Sequence, residues 1–421
     1  MMEKRSDNPC LPLSDTIVPT DAGGVADAVR RATETSTAVY PIGGATNLGL
    51  GSPPDRSGIG LSLAKLNRLV DHAARDLTIT VEAGMTVARL QKTLAAARQR
   101  LPVDVARPEV ATIGGAVAVG VAGPRCYRHG TIRDYILGLC AVDGRGTEFE
   151  AGGRVVKNAA GYNVCRLLTG SLGTLGVITQ VTLMVRPMVE SEGWIACGVS
   201  DFATCEKLLA DLVHSATLPM SVEWLVGPAW TSELSFVDIT PGAAGRLLIG
   251  FEGAKDEVHW MLDSLAARWK QLGVDSPGVI EGAKAKSTAQ NLTNSAAAAN
   301  DSESSNMTVR VSVLPSVLAH TIEQIAQLVG NASIQAHAGD GVLVARLPVE
   351  PQAAAHLITD QLRPLVDQAK GTMVVVDSPR DANLDRAAIW GPEPAGFCTM
   401  RAIKRQFDPK NILNPGRFIY K

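Results

Sequence analysis

Apolar positions recur in two different ways along this chain, and the change near residue 190 divides it. Before that point, short apolar runs alternate with Gly-rich joints. The segment Ala22 to Thr33 sets Val25, Val29 and Ala32 on one helical face, with Asp21 as its cap. Thr37 to Tyr40 predicts a short strand, and the alternation in Thr78 to Glu82 a half-buried one. Thr86 then caps a helix carrying Val87, Leu90 and Leu94. Tyr135 to Val142 and Thr147 to Glu150, joined through Asp143-Gly144, predict a hairpin. Gly176 to Val185 predicts a further strand that stops at Arg186-Pro187.

Past residue 190 the glycines thin out and longer amphipathic segments begin. Helices are predicted at 202–215 and 255–271, with apolar strands near 220–226 and 246–251. Residues 283–308 are rich in Ala, Ser and Asn and predict a loop or linker outside the core. Beyond them the order is strand 309–313, helix 316–329, strands 333–338 and 341–346, helix 351–369, strand 372–377. This is the βαββαβ order of the ferredoxin-like split motif, and it repeats less visibly in 194–272. The expected domains are 1–189, 190–385 and a returning C-terminal segment, 386–421.

Composition narrows the function. With 46% hydrophobic and 19% charged residues the chain is globular. A net charge of −2 leaves no basic excess for nucleic acid or an anionic membrane. Seven cysteines without any C-x-x-C spacing do not support zinc ribbons or iron–sulfur clusters. No apolar stretch suits a signal peptide or a bilayer span, so a cytoplasmic location is expected.

The 40 glycines matter most where they cluster. Three nearly uncharged clusters stand at 43–51, 112–124 and 170–176, spaced as for a long ligand lying against bare backbone. Neither G-x-G-x-x-G opening a helix nor a G-x-x-x-x-G-K-[ST] loop is present. A dinucleotide cofactor is one reading, and close sheet packing of small residues is the other.

Several of these segments together resemble the FAD-binding PCMH-type (vanillyl-alcohol-oxidase) family. They are Pro41-Ile-Gly-Gly-Ala-Thr46, Ala111-Thr-Ile-Gly-Gly115, His129-Gly-Thr-Ile-Arg-Asp-Tyr135 and Gly170-Ser-Leu-Gly-Thr-Leu-Gly176. The ending Asp408-Pro-Lys-Asn-Ile-Leu-Asn-Pro-Gly416 is similar to that of its 2-hydroxy-acid branch. Ala122-Gly-Pro-Arg125, Ile132-Arg-Asp134 and Val156-Lys-Asn-Ala-Ala-Gly-Tyr162 resemble the FAD-binding E subunit of bacterial glycolate-oxidising complexes. The resemblance implies an α+β fold: a two-lobed PCMH-type FAD domain with a ferredoxin-like cap. It also implies FAD held without a covalent tether, since Gly43 to Thr46 offer no His or Cys.

By the same resemblance, the pyrophosphate would lie on Ile42, Gly43, Gly44, Ala45, Thr46 and Asn47. The flavin would be lined by Thr112, Gly114, Gly115, Ala116, Gly120, Ala122 and Gly123. Gly173, Thr174, Gly176, Val177 and Ile178 would contact the adenine side, with Asn414 and Gly416 closing the pocket.

Catalytic members of the branch carry a metal on His-x-Gly-Asp-Gly-x-x-His and a later Glu-His-Gly. This chain has His337-Ala-Gly-Asp-Gly341 but Val344 in place of the second His, so His337 reads as a polar turn residue and no metal is expected. The remaining candidates for catalysis are His129, His337 and Arg346, with Arg401 a further conceivable carboxylate clamp. Arg133 with Asp134 reads as an ion pair fixing a loop, or as a substrate contact. Lys157 and Asn158 would approach the flavin or cap backbone carbonyls. The function implied is the FAD-binding subunit of a glycolate (2-hydroxy-acid) dehydrogenase complex. Its partners would be a homologous metal-bearing catalytic subunit and an iron–sulfur subunit, with any membrane association made through them. The alternatives are a stand-alone D-lactate-like dehydrogenase and a non-catalytic FAD relay.

Overall fold

The computed structural model describes residues 10–120, 122–153, 162–230, 245–274, 277–295 and 306–419. Lys157 and Asn158 lie outside them. The fold is mixed α+β and divides into two compact units. The first comprises 1–122, 131–188 and 392–421, and the second 123–130 and 189–391. The second unit thus takes in residues 123–130, which the sequence reading places in the first domain.

Among the described residues the first unit holds three sheets. β1 (Leu13–Ile17), β2 (Ala38–Ile42) and β3 (Gly58–Ser62) form a parallel sheet in the order β1-β3-β2. β4 (Leu69–Ala73), β5 (Thr78–Glu82), β7 (Ile136–Val142), β8 (Glu148–Gly152) and β9 (Val177–Met184) form an antiparallel sheet ordered β4-β5-β9-β7-β8. β6 (Gln99–Arg100) pairs with β10 (Arg186–Pro187). The helix Ala22–Thr35 starts where Asp21 accepts a hydrogen bond from the Gly24 amide, and Val87–Ala96 where Thr86 accepts one from Arg89. Their apolar stripes join Ile79, Val81, Ile113 and Val181 in one core.

The described residues of the second unit contain one eight-stranded sheet. Its strands are β11 (Ser191–Val199), β12 (Ser221–Val226), β13 (Gly245–Gly253), β14 (Gly278–Glu281), β15 (Asn306–Ser312), β16 (Ser333–His337), β17 (Val342–Pro348) and β18 (Thr372–Asp377). The order β14-β11-β13-β12-β16-β17-β15-β18 is two βαββαβ units meeting edge to edge through the antiparallel pair β12–β16. Helices Phe202–Val213, Lys255–Gln271 and Pro315–Leu328 cover one face, where Trp224, Ile249, Val309 and Leu343 pack. A helical run over 351–368, with a π turn at Leu357–Leu362, completes that layer.

One expectation is overturned. Residues 282–295 form a helix, Gly282–Ser295, rather than a loop, and β15 begins at Asn306. Ala285, Ala289 and Leu292 recur at helical spacing and pack against Trp194, Ala196, Leu225 and Leu248 on the opposite face of the sheet. Small side chains let this helix lie close, so its low hydrophobicity is compatible with burial. No helix among the described residues is long and apolar enough to cross a membrane. Substituting Leu292→Ala should cost about 2–5 kcal/mol in chemical denaturation, where a loop position would change stability by under about 0.5 kcal/mol.

Candidate functional site

Strand β2 runs directly into the first glycine cluster, and the backbone there passes against the second. A Cβ on Gly43 would stand 2.2 Å from the Thr112 hydroxyl, and one on Gly44 only 1.9 Å from the Val110 carbonyl oxygen. Glycine is required at both positions. Thr112 caps the helix Ile113–Val119 by accepting from the Gly115 amide, and Gly114 packs on Ala83. The third cluster arrives between helix Val164–Leu168 and β9, with Leu172 and Gly173 both at positive φ.

These segments border an open cavity. Of the residues named from the sequence, Gly43, Gly44, Ala45, Thr46, Asn47, Thr112, Gly114, Gly115, Gly173, Gly176, Val177, Ile178 and Asn414 line it. Ile42 instead packs beside Tyr40, and Ala116 enters the core. Gly120 ends the helix at positive φ, and the Thr174 hydroxyl bonds the Ser171 carbonyl. Ala122 and Gly123 fall on opposite sides of the division between the units, and Gly416 packs near Asp55. The sequence reading missed Leu11, Leu48, Leu50, Leu63, Leu172 and Arg417 on the wall. The aliphatic ones carry no local signal. Arg417 directly follows the Asn-Pro-Gly turn that was already singled out.

The C-terminal segment is fixed to this wall by a buried ion pair. Lys404 Nζ, on the helix Phe397–Phe407, donates to Asp408 Oδ2 (2.6 Å) and to the carbonyls of Thr174 (2.8 Å) and Leu413 (3.1 Å). Asp408 in turn accepts from the amides of Ile412 and Leu413. Burial pushes the Lys404 ammonium below its usual range, while Asp408 opposes that shift. Asn414 completes the join: its amide donates to the Val39 carbonyl and its side chain to that of Leu172.

The other candidates have mundane partners. His129 Nε2 lies 2.5 Å from Glu252 in the second unit. Arg125, on the same excursion of chain, bonds Glu192 at 2.8 Å. Arg346 is no free clamp, because its guanidinium donates to the Ser295 carbonyl at the end of helix Gly282–Ser295. Arg401 lies over the Phe397 ring. Asp134 accepts from the Thr131 amide and hydroxyl, which caps a turn in place of pairing with Arg133. His337 is not a turn residue: it closes β16 and is buried, its Nδ1 2.8 Å from Glu223. Glu223 is fully buried and also accepts from Ser221 and Gln335. Asp340, beside this pair, is raised above the usual carboxylate range by burial. Among the described residues no three His, Cys, Asp or Glu side chains converge to hold a metal.

Two family models match, an FAD binding domain over residues 15–166 and the C-terminal domain of FAD-linked oxidases over 190–374 and 392–418. The chain belongs to the FAD-linked oxidases. It is therefore an FAD-dependent oxidoreductase, and the glycine cradle, open on bare backbone, fits a dinucleotide. The chain is 24% identical to glycolate oxidase subunit GlcD of Bacillus subtilis, across 96% of this chain and 88% of that protein. It is 28% identical to a D-2-hydroxyglutarate dehydrogenase of Xanthomonas citri pv. viticola, across 92% and 85%. Over 120 residues, 28% of this chain and 34% of that one, it is 40% identical to glycolate oxidase subunit GlcE of Escherichia coli. A solved alkyldihydroxyacetonephosphate synthase superposes with a TM-score of 0.68 at 17% identity, covering 96% of this chain and 77% of that one. That likeness carries the fold alone.

Two outcomes test this description. Gly44→Ala should strip bound flavin from the purified protein, seen as lost flavin absorbance per chain, because its Cβ would drive the loop off Val110. Lys404→Met should lower unfolding free energy by about 3–5 kcal/mol, measured by denaturant titration, because Asp408 is left buried and uncompensated.

Proposed function

We propose that the cavity of the first unit is the FAD site, and that the chain is the FAD-binding subunit of a glycolate (2-hydroxy-acid) dehydrogenase complex. It would take part in the oxidation of glycolate to glyoxylate and pass electrons to an iron–sulfur partner. A homologous metal-bearing subunit would supply the catalytic metal, and the complex would be cytoplasmic or membrane-associated through its partners. FAD, when bound, supplies the hydride acceptor. This chain's part is to hold it: the glycine backbones allow close approach, and the Lys404–Asp408 pair keeps the wall at 172–174 in place.

The observation that carries the subunit reading is the state of the His337 segment. His337 is engaged by Glu223, and Val344 stands where the branch's motif has a second His. The 40% identity with a GlcE subunit across 120 residues supports the same reading.

A second reading rests on the same pair. Glu223 holds the His337 ring at Nδ1, 2.8 Å away, and a histidine oriented by a carboxylate is a common general base. In a stand-alone 2-hydroxy-acid dehydrogenase, His337 would take the substrate's hydroxyl proton.

Anaerobic addition of glycolate and D-lactate to the purified chain separates the two. The subunit reading expects a flavin spectrum that stays oxidised until the partner subunits are added. Bleaching by the chain alone would replace it with the stand-alone enzyme, and His337→Gln should then abolish that bleaching while leaving flavin bound.

A further inference from the structure

We propose that Arg417 is the cation that recognises the diphosphate of FAD, a reading that rests on the cavity of the first unit being the FAD site. Among the described residues lining that cavity, Arg417 is the one charged side chain; the rest of that wall is glycine, aliphatic and neutral polar. It is buried, with 7% of its surface exposed. Its two side-chain hydrogen bonds both leave from Nη2, to the carbonyls of Leu48 and Leu50 in the first glycine loop.

No carboxylate of the described residues pairs with it, since Asp55, the acid nearest in sequence to that loop, pairs with Arg56 instead. Burial accordingly pushes the guanidinium below its usual range, opposed only by Cys10 and Tyr40. A buried cation without a counter-charge is costly, and an anionic ligand relieves that cost. A diphosphate meets the need from the other side. Glycine amides donate hydrogen bonds to phosphate oxygens but bring no formal charge, and the planar guanidinium fork suits phosphate geometry. Carbonyl bonds from Nη2 would fix that fork against the loop where the sequence reading places the pyrophosphate.

The test uses the full chain freed of flavin and titrated with FAD at several ionic strengths, for the wild type, Arg417→Gln and Arg417→Lys. Charge-assisted bonds to phosphate predict that Arg417→Gln weakens FAD about tenfold or more. They also predict a flatter dependence of affinity on salt, because one screened charge pair is gone. Arg417→Lys should keep the wild-type salt dependence while recovering part of the affinity, which guards against a merely disrupted loop. Unchanged affinity in Arg417→Gln, or weaker binding with the wild-type salt dependence, would overturn the proposal. Retention of FAD by Gly44→Ala would instead remove the cavity as the FAD site, a failure of the underlying reading that the arginine variants do not mimic.

Discussion

Everything at the cavity depends on a lysine that has been taken out of water. Lys404 and Asp408 are one helical turn apart, the spacing of an ordinary solvated pair, yet both are almost wholly buried. Burial is tolerable because every strong bonding direction is used: two carbonyls and a carboxylate on the ammonium, two amides on the carboxylate. The same five bonds tie Thr174 to the stretch 404–413, 230 residues on from Thr174 at Lys404. The wall of the cavity is thus set by electrostatics that hold only when the last thirty or so residues have returned.

The second unit shows the opposite economy. Its sheet is assembled from two copies of one simple motif, and the seam between them is a single antiparallel pair in which Glu223 stands opposite His337. One face is uniformly apolar. On the other, apolar residues under helix Gly282–Ser295 give way to a buried polar group of Ser221, Glu223, Gln335 and His337. That placement makes His337 a member of a fixed network, with its ring orientation determined by a neighbour that has no exposure to solvent.

The sequence revealed whatever depended on periodicity. The βαββαβ order, the caps at Asp21 and Thr86 and the glycine clusters were all visible as local patterns. Helix Gly282–Ser295 was equally periodic at Ala285, Ala289 and Leu292, but its small side chains hid a buried face behind a polar composition. The buried positions of Lys404, Asp408 and Arg417 were not legible at all, because charge in a sequence reads as surface until the covering segment is known. His337 was misjudged for the same reason: its partner lies 114 residues earlier, on a strand whose pairing no local pattern reveals. Arg346 looked available only because the carbonyl of Ser295 that occupies it belongs to the helix that went unrecognised.

Glu192 and Glu252 face each other directly across β11 and β13, an arrangement of like charges that opposes strand pairing. Arg125 pairs with both and His129 bonds Glu252, and the two residues come from 123–130, an excursion made long before either strand appears in the chain. The counter-ions of this sheet are therefore supplied by a stretch that interrupts the other unit. A segment cut at the obvious boundary would carry its strands and helices but leave two acids repelling one another near one end of the β11–β13 pair. Two compact halves in space are therefore not two consecutive halves in sequence.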